Sequence, residues 1–212
     1  MSIFQFGAES KFRDATTWRR PWIPSILRPI NAMARLHFLL ILRSLRQLLP
    51  TDKRWRILEA GTKQGFLSFW LARSSSHQIV GLDLDQTVVS ANEQLAEKLN
   101  LPNLTFTQAD LTQSLDPIGT FDLVICVHVL EHIKEDRTAL KNLAKIINPG
   151  GYLLVLVPGG IDTVPEFTQH ELDILDHVRP GYSLAELTQK VETAGFRVIS
   201  SRPGFGLWGS WA

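Results

Sequence analysis

Residues 55–66 read WRILEAGTKQGF: a short apolar stretch, a glycine, three polar residues, a second glycine, and then an apolar run with helical spacing. Such a segment predicts a strand that turns sharply into a helix, with Gly61 and Gly65 supplying backbone conformations that other residues adopt at a cost. The first turn of the helix offers unpaired N–H groups and the positive end of its dipole, so a ligand held there carries an anion or a polar headgroup. Glycine after a strand is often only a turn, and what this one holds has to be decided by its surroundings.

Working outward, apolar strands and helical patterns alternate. Strands are expected at 56–59, 78–83, 104–107, 121–127 and 152–157, with helices at 64–73, 86–99 and 135–147. The runs FDLVICV and YLLVLV are apolar almost throughout, as strands covered on both faces must be. Asn148-Pro149-Gly150-Gly151 is expected to stop the last of these helices. Strand and helix in strict alternation predict an α/β fold, a Rossmann-like doubly wound and mainly parallel sheet. In that fold the turn after the first strand lies at the carboxyl edge, beside the switch point where ligands sit.

The 212 residues are enough for one domain with a real core, and 44% hydrophobic content with 20% charge is ordinary for a globular chain. The single cysteine, Cys126, excludes an internal disulfide and a cysteine-cluster metal site, and no metal site is expected. A cytoplasmic location follows as the default expectation. The start, MSIFQFGAES, lacks the charged and apolar regions of a signal peptide. Net charge is +1, but residues 1–56 hold eleven Lys and Arg against Glu9, Asp14 and Asp52, which makes that segment basic and the rest acidic. A basic front end is compatible with an anionic partner, whether membrane surface, nucleic acid or the acidic body of the same chain.

The second strand sharpens the ligand. Asp83 lies 22 residues after Gly61, close to the spacing at which a carboxylate accepts from ribose hydroxyls. Asp85, nearer the helical run, is the better cap for the helix that follows. Asp110, just past the third strand, is placed to accept from the exocyclic amine of adenine. Dinucleotide sites use G-x-G-x-x-G, whereas here Glu59 precedes the turn; its carboxylate would repel a pyrophosphate and would accept from an ammonium group. A ligand with adenosine at one end and an amino acid at the other fits best.

From residue 55 to 200 the chain resembles the class I S-adenosylmethionine-dependent methyltransferases, small-molecule type. ILEAGTKQG, VGLDLD, ADL, FDLVICVHVLEHIKE and INPGGYLLVLVP stand in the family's order and separations, and DHVRPGYSLAELTQKVETAGFRVISS is similar to the end of many members. The resemblance implies S-adenosyl-L-methionine as cofactor and S-adenosyl-L-homocysteine as product. It implies Glu59, Gly61 and Gly65 at the methionine end, Asp83 at the ribose, Asp110 at the adenine and the backbone near Val127 and His128 beside the rest of the cofactor, with Lys63, Leu84 and Leu111 also among the cofactor-binding residues. Lys63 departs from it, standing where the family usually has glycine. Three outcomes are open: its ammonium pairs with the cofactor's carboxylate, it points outward, or it blocks the crevice in a non-catalytic relative used for binding or as a scaffold.

Methyl transfer from a sulfonium needs an aligned nucleophile, and a base helps where that nucleophile is a hydroxyl. His177, with Arg179 and Tyr182 before the late helix, is the first candidate for a base or substrate-side residue; His128 is the second, His170 also falls in this region, and His132 is expected to pack at a helix start. The family's segment for exocyclic amines of DNA bases and its Pro-Cys nucleophile for cytosine carbon are both missing, so the expected acceptor is a small hydrophobic or amphipathic molecule, methylated on O or C, and not a nucleic acid.

Residues 1–50 are expected to form a basic arm, with Pro21, Pro24 and Pro29 beside Trp18 and Trp22, and then an amphipathic helix from about 31 to 49. Its face of Leu36, Leu39, Leu40 and Leu48 would cover the cofactor as a lid, pack on the sheet, or rest peripherally on anionic lipid. The methyltransferase domain is assigned to 51–212. After Gly195 only a sixth strand is evident where the family has an antiparallel seventh, so two outcomes are expected: a sheet short by that strand, or a natural protein that continues past this sequence.

Overall fold

A computed structural model describes residues 2–7, 32–49, 52–159 and 176–203. In chain order these form β1 (Ser2–Gly7), α1 (Ala32–Leu48), β2 (Arg56–Ala60), α2 (Phe66–Ser74), β3 (Gln78–Asp83), α3 (Gln86–Lys98), β4 (Leu104–Gln108), β5 (Phe121–Val127), α4 (Asp136–Lys145), β6 (Ile147–Val157), α5 (Leu184–Thr193) and β7 (Arg197–Pro203). They build one seven-stranded sheet in the order β4-β3-β2-β5-β6-β1-β7, and every pairing among the described strands is parallel. The chain order reverses between β2 and β5, which fixes the switch-point crevice at their carboxyl ends.

Alternation along each strand divides the core into two layers. Ile57, Ile79, Leu123, Ile125, Leu154 and Leu156 face α1, α2 and α3. Leu58, Val80, Val124, Cys126, Leu153 and Val155 face α4 and α5. In register, Ile57 lies between Ile79 and Leu123, so the central strands stack β-branched and leucyl side chains on both faces, the arrangement their sequences predict. The same burial pushes the Cys126 thiol far above its ordinary pKa and makes it a packing residue rather than a nucleophile. The helices begin where their caps stand: the Asp85 carboxylate accepts from Thr87 N at 2.7 Å to start α3, as expected, and Ser183 Oγ accepts from Glu186 N at 3.1 Å to start α5.

The N-terminal segment departs from expectation. Instead of a short sheet, the structure carries β1 between β6 and β7, in register from Ser2 opposite Tyr152 to Gly7 opposite Val157. The sheet therefore has a strand in the place where the family's seventh was expected to be missing, drawn from the other end of the chain and running parallel. The segment SIFQFG has the aromatic and β-branched content of a strand, and an interior slot lets its amides and carbonyls pair on both sides. The end of α4 also differs: it stops at Lys145, two residues before the expected bound, and the strand begins at Ile147 rather than 152, so Asn148 to Gly151 lie within β6, with Asn148 Nδ2 donating to Asp122 Oδ1 at 3.0 Å.

Helix α1 packs on the sheet. Ile41, Ser44 and Leu45 are buried, and Phe38 meets Phe66 and Trp70 edge-on at centroid distances of 5.0 and 5.6 Å. Arg43, Arg46 and Gln47 stay exposed on its outer face. No helix among the described residues is long and apolar enough to cross a membrane. Trp18, Trp22, the three prolines of the arm and His170 lie outside the described residues.

Candidate active site

The turn between β2 and α2 is held shut by its own side chains. Gly61 N and Thr62 N both donate to Leu82 O, at 2.8 and 2.9 Å, which ties the turn to the end of β3. Glu59 is buried, and its Oε2 accepts from Thr62 Oγ1 at 3.0 Å, Ser68 N at 2.9 Å and Ser68 Oγ. Burial nevertheless pushes the Glu59 carboxyl up to about 7, against the pull of the Ser68 and Thr62 donors. That oxygen thus acts on the turn, linking it to the first turn of α2. Gly61, at φ 72°, is required by a close approach: a Cβ there would lie 2.4 Å from a methyl of Val129, on the loop after β5. Gly65, at φ 68°, is the N-cap of α2.

Lys63 also sits in the left-handed region, at φ 43°, which is the conformation a glycine would take without strain. Two contacts hold it there. Lys63 N donates to Asp83 Oδ2 at 2.7 Å, and Lys63 O accepts from Asn92 Nδ2 of α3 at 2.6 Å. The side chain is exposed, and its ammonium bears on His177 across the crevice. Asp83 accepts a second backbone bond, Oδ1 from Asp85 N at 3.1 Å. A carboxylate offers about four acceptor positions, so each oxygen of this half-buried group keeps one more. Leu84, beside it, is 65% exposed, an apolar shelf at the end of β3. Asp110 Oδ1 accepts from Thr112 N and Thr112 Oγ1, both at 2.8 Å. Leu111 turns its side chain into the core, and its carbonyl accepts from Asn142.

On the β5 side, Val127 is half-buried and His128 leaves the strand at φ 52° with its N–H on Leu156 O at 2.8 Å. Of the four described non-glycine residues at positive φ, Lys63, His128 and Asp176 flank this crevice, and strained backbone of this kind clusters at functional sites. His128 Nδ1 lies 3.2 Å from Oε1 of Glu131, a carboxylate with no exposed surface. His132 does not pack into a helix start as expected. It ends a 3-10 turn (Leu130–His132), with Nδ1 2.7 Å from Asp176 O and its ring edge-on to His177 at 4.7 Å. Burial, together with the charges of His132, His128 and Lys63, holds His177 below the usual imidazole range, with Glu131 pulling the other way.

Residues 176–182 are brought to this edge by a buried ion network. Asp136, at the start of α4, accepts from Arg179, from Lys190 Nζ at 2.6 Å and from Tyr182 Oη at 2.8 Å. Burial would raise the Asp136 carboxyl; Lys190, Tyr182 and Arg179 outweigh it and keep it below its ordinary value. Arg179 also donates to Ile133 O at 2.8 Å, and Val178 N to Glu131 O at 3.0 Å. The expected site residues therefore come together at one sheet edge: Asp83, Leu84 and Asp110 on the β3–β4 side, Val127, His128 and His177 on the β5 side, with the Lys63 turn between them. Sequence patterns left out Asn92 and Glu131, since an asparagine inside a helix and a glutamate in a polar stretch give no local cue.

A parallel sheet with a glycine turn, a carboxylate one strand over and imidazoles across the crevice defines a nucleoside-binding α/β domain. A family model described as a methyltransferase domain matches residues 33–201, and the chain belongs to that family. Its fold is that of the class I S-adenosylmethionine-dependent methyltransferases. The chain is 27% identical over 164 residues to a ubiquinone biosynthesis O-methyltransferase of Coxiella burnetii, covering 70% of this chain and 66% of that protein. It is also 27% identical over 149 residues to a probable S-adenosylmethionine-dependent methyltransferase of Mycolicibacterium smegmatis, covering 67% of this chain and 52% of that one. The chain thus spans between half and two thirds of these curated relatives. Among solved structures, a Haemonchus contortus phosphoethanolamine N-methyltransferase in complex with S-adenosyl-L-methionine matches with TM-score 0.62 at 17% identity, covering 74% of this chain and 36% of that one. The [4+2]-cyclase SpnF matches with TM-score 0.61 at 18% identity, covering 73% and 56%.

Proposed function

We propose that this chain binds S-adenosyl-L-methionine at the β2–β5 crevice and transfers its methyl group to an oxygen or carbon of a small, hydrophobic or amphipathic acceptor. The observation that carries the reading is Asp83: a carboxylate fixed by two backbone amides, with an acceptor position left on each oxygen, next to the exposed Leu84. Two neighbouring ribose hydroxyls fit the first feature and an adenine face fits the second, with Asp110 on the far side of the base. The cofactor supplies an electrophilic methyl on a sulfonium. The chain's own part is to hold that methyl in line with the acceptor, where orientation is worth roughly 7–11 kcal/mol. His128 and His177, on the opposite wall, are the groups to receive or relay an acceptor proton. The O-methyltransferase named above supports an oxygen acceptor.

Residues 51–212 carry the crevice in this reading, and residues 1–50 supply α1, whose Phe38 rests on Phe66 beside the cofactor turn, the place of a cover. Exposed Arg43 and Arg46 suit a peripheral contact with anionic lipid; flotation with anionic liposomes at low salt tests that, and flotation unchanged by charge reversal at both arginines counts against it. Calorimetric titration with S-adenosylhomocysteine tests the main reading. Micromolar binding that is lost in Asp83→Ala supports it, and the absence of binding by a folded sample sinks it. A second reading, a domain that keeps the crevice without transferring methyl, is supported by the fold's presence in a protein named as a cyclase and by Lys63 in the turn. Binding of the cofactor without turnover across a panel of hydroxylated acceptors would favour it.

A further inference from the structure

Glu131, His132 and His177 stand at the acceptor side of the crevice with one ligand atom each, a carboxylate oxygen and two ring nitrogens, all within 4.8 Å of one another. Glu131 is fully buried, and its Oε2 has no hydrogen-bond partner; the buried Nδ1 of His177 has none either. Leaving a buried carboxylate oxygen and a buried imidazole nitrogen unsatisfied is costly, and a cation between them would meet both needs. His132 is already set for such a role. Its Nδ1 faces the Asp176 carbonyl, which can only accept, so the proton sits on Nδ1 and the lone pair on Nε2. A metal-ligating histidine is oriented in this way, through its second nitrogen, by a backbone carbonyl. The other oxygen of Glu131 is oriented in turn by His128 Nδ1 at 3.2 Å.

We propose that Glu131, His132 and His177 form a binding site for one divalent transition-metal ion of the Zn2+ or Co2+ type. Two imidazoles and one carboxylate suit these ions, whereas Mg2+ prefers an all-oxygen shell with several waters. The donors are preorganised although they come from two segments, because Val178 N on Glu131 O and Arg179 on Asp136 and Ile133 O pin residues 176–179 against residues 131–136. Three protein ligands leave a coordination position open. Resting on the methyltransferase reading above, that position would take an ionisable hydroxyl of the acceptor. The O–H proton passes to solvent, the oxygen pair forms the new bond to the methyl carbon, and the pair of the broken carbon–sulfur bond stays on sulfur. The acceptor class is then a hydroxylated molecule in preference to a carbon nucleophile.

The test is a titration of the chelator-treated full chain with Co2+, followed by visible absorption and calorimetry. One Co2+ per chain with ligand-field bands is expected, displaced by Zn2+ and not by Mg2+. Replacing a ligand should cost at least as much as disturbing a supporting group, about tenfold or more in affinity, for both His177→Ala and Glu131→Gln. His77→Ala, at a histidine outside the cluster, should leave binding unchanged. Circular dichroism checks the folding of Glu131→Gln; if that variant does not fold, His177→Ala, at a half-exposed position, decides. No Co2+ binding, preference for Mg2+, or equal binding by the wild type and His177→Ala would overturn the site. Titration of the metal-free chain with S-adenosylhomocysteine is read separately: Co2+ binding without nucleoside binding refutes the methyltransferase reading and leaves the ion site standing, and the reverse result does the opposite.

Discussion

The two walls of the crevice are built on different plans. On the β3–β4 side, Asp83, Asp85 and Asp110 are each fixed by amides within a few residues or one strand away, and every carboxylate has backbone donors. On the β5 side, His128, Glu131, His132 and His177 depend on a segment more than forty residues distant and on a buried ion network, and Glu131 Oε2 and His177 Nδ1 lack hydrogen-bond partners. A wall that satisfies itself is suited to grip a constant ligand part. The wall with unmet valences is suited to a variable acceptor or an ion.

The largest effect expected from this contrast is at Asp83. Asp83→Ala removes the proposed ribose acceptors and frees Lys63 N. Losing hydrogen bonds to a charged group costs about 1.5–3 kcal/mol apiece, so calorimetry should find S-adenosylhomocysteine affinity reduced by roughly 100-fold or more. His177→Ala, on the other wall, should leave that affinity within a few-fold of wild type. Equal losses at the two positions would break the comparison.

Next comes Glu59, at the turn between the two walls, which carries a raised pKa. Glu59→Ala leaves Ser68 N, Ser68 Oγ and Thr62 Oγ1 without their acceptor and should destabilise the fold by roughly 2–4 kcal/mol in denaturant unfolding. Its pH dependence has a definite sign. The unfolded carboxyl ionises near 4.5 and the folded one near 7, so the folded state holds its proton longer. The contribution is present in full below 4.5, is lost as pH rises to about 7, and is flat above that. The loss is on the order of 3 kcal/mol, and Glu59→Gln should abolish the slope.

Smaller effects sharpen the picture. Lys63→Gly relieves left-handed strain of about 1 kcal/mol at a position with φ 43°, so it should raise stability slightly and leave cofactor affinity unchanged or improved, since the lysine side chain points to solvent and His177. A clear loss of affinity would instead show the ammonium pairing with the ligand. The smallest is at His77, far from the site, whose Nδ1 accepts from Trp55 N at 3.1 Å. Burial, then the charge of Arg54, lowers its pKa. Its stabilisation is thus present above the unfolded value of 6.5 and fades as pH falls, and His77→Ala should reduce that part of the acid sensitivity in thermal unfolding.

These differences also explain what could be read from sequence. The place of Asp83 beside the turn was legible because a strand end, a glycine turn and a fixed spacing are all local, and the Asp85 cap because it stands next to its helix. The strand positions of β2 to β6 followed from runs of apolar residues that only a doubly covered sheet requires. The 131–132–177 cluster was not legible as a unit: His177 could be chosen for its place in the order of elements, but only Arg179 and Tyr182 reaching Asp136 bring it to Glu131. The part of Lys63 stayed open among three outcomes because sequence does not report φ, and it is the backbone that takes the glycine's conformation. The N-terminal strand was missed since six residues with a β-prone composition do not declare where they pair.

That strand has a kinetic corollary. Residues 2–7 share ladders with residues 152–157 and 197–203, so both partners of this strand lie far downstream in the chain. Sequence separations of this size slow folding, so the slot between β6 and β7 is expected to close after the β2–β5 ladder. A refolding sample should acquire protection of the β2–β5 amides before those of β7. A short synthetic SIFQFG peptide present during that delay would compete for the gap.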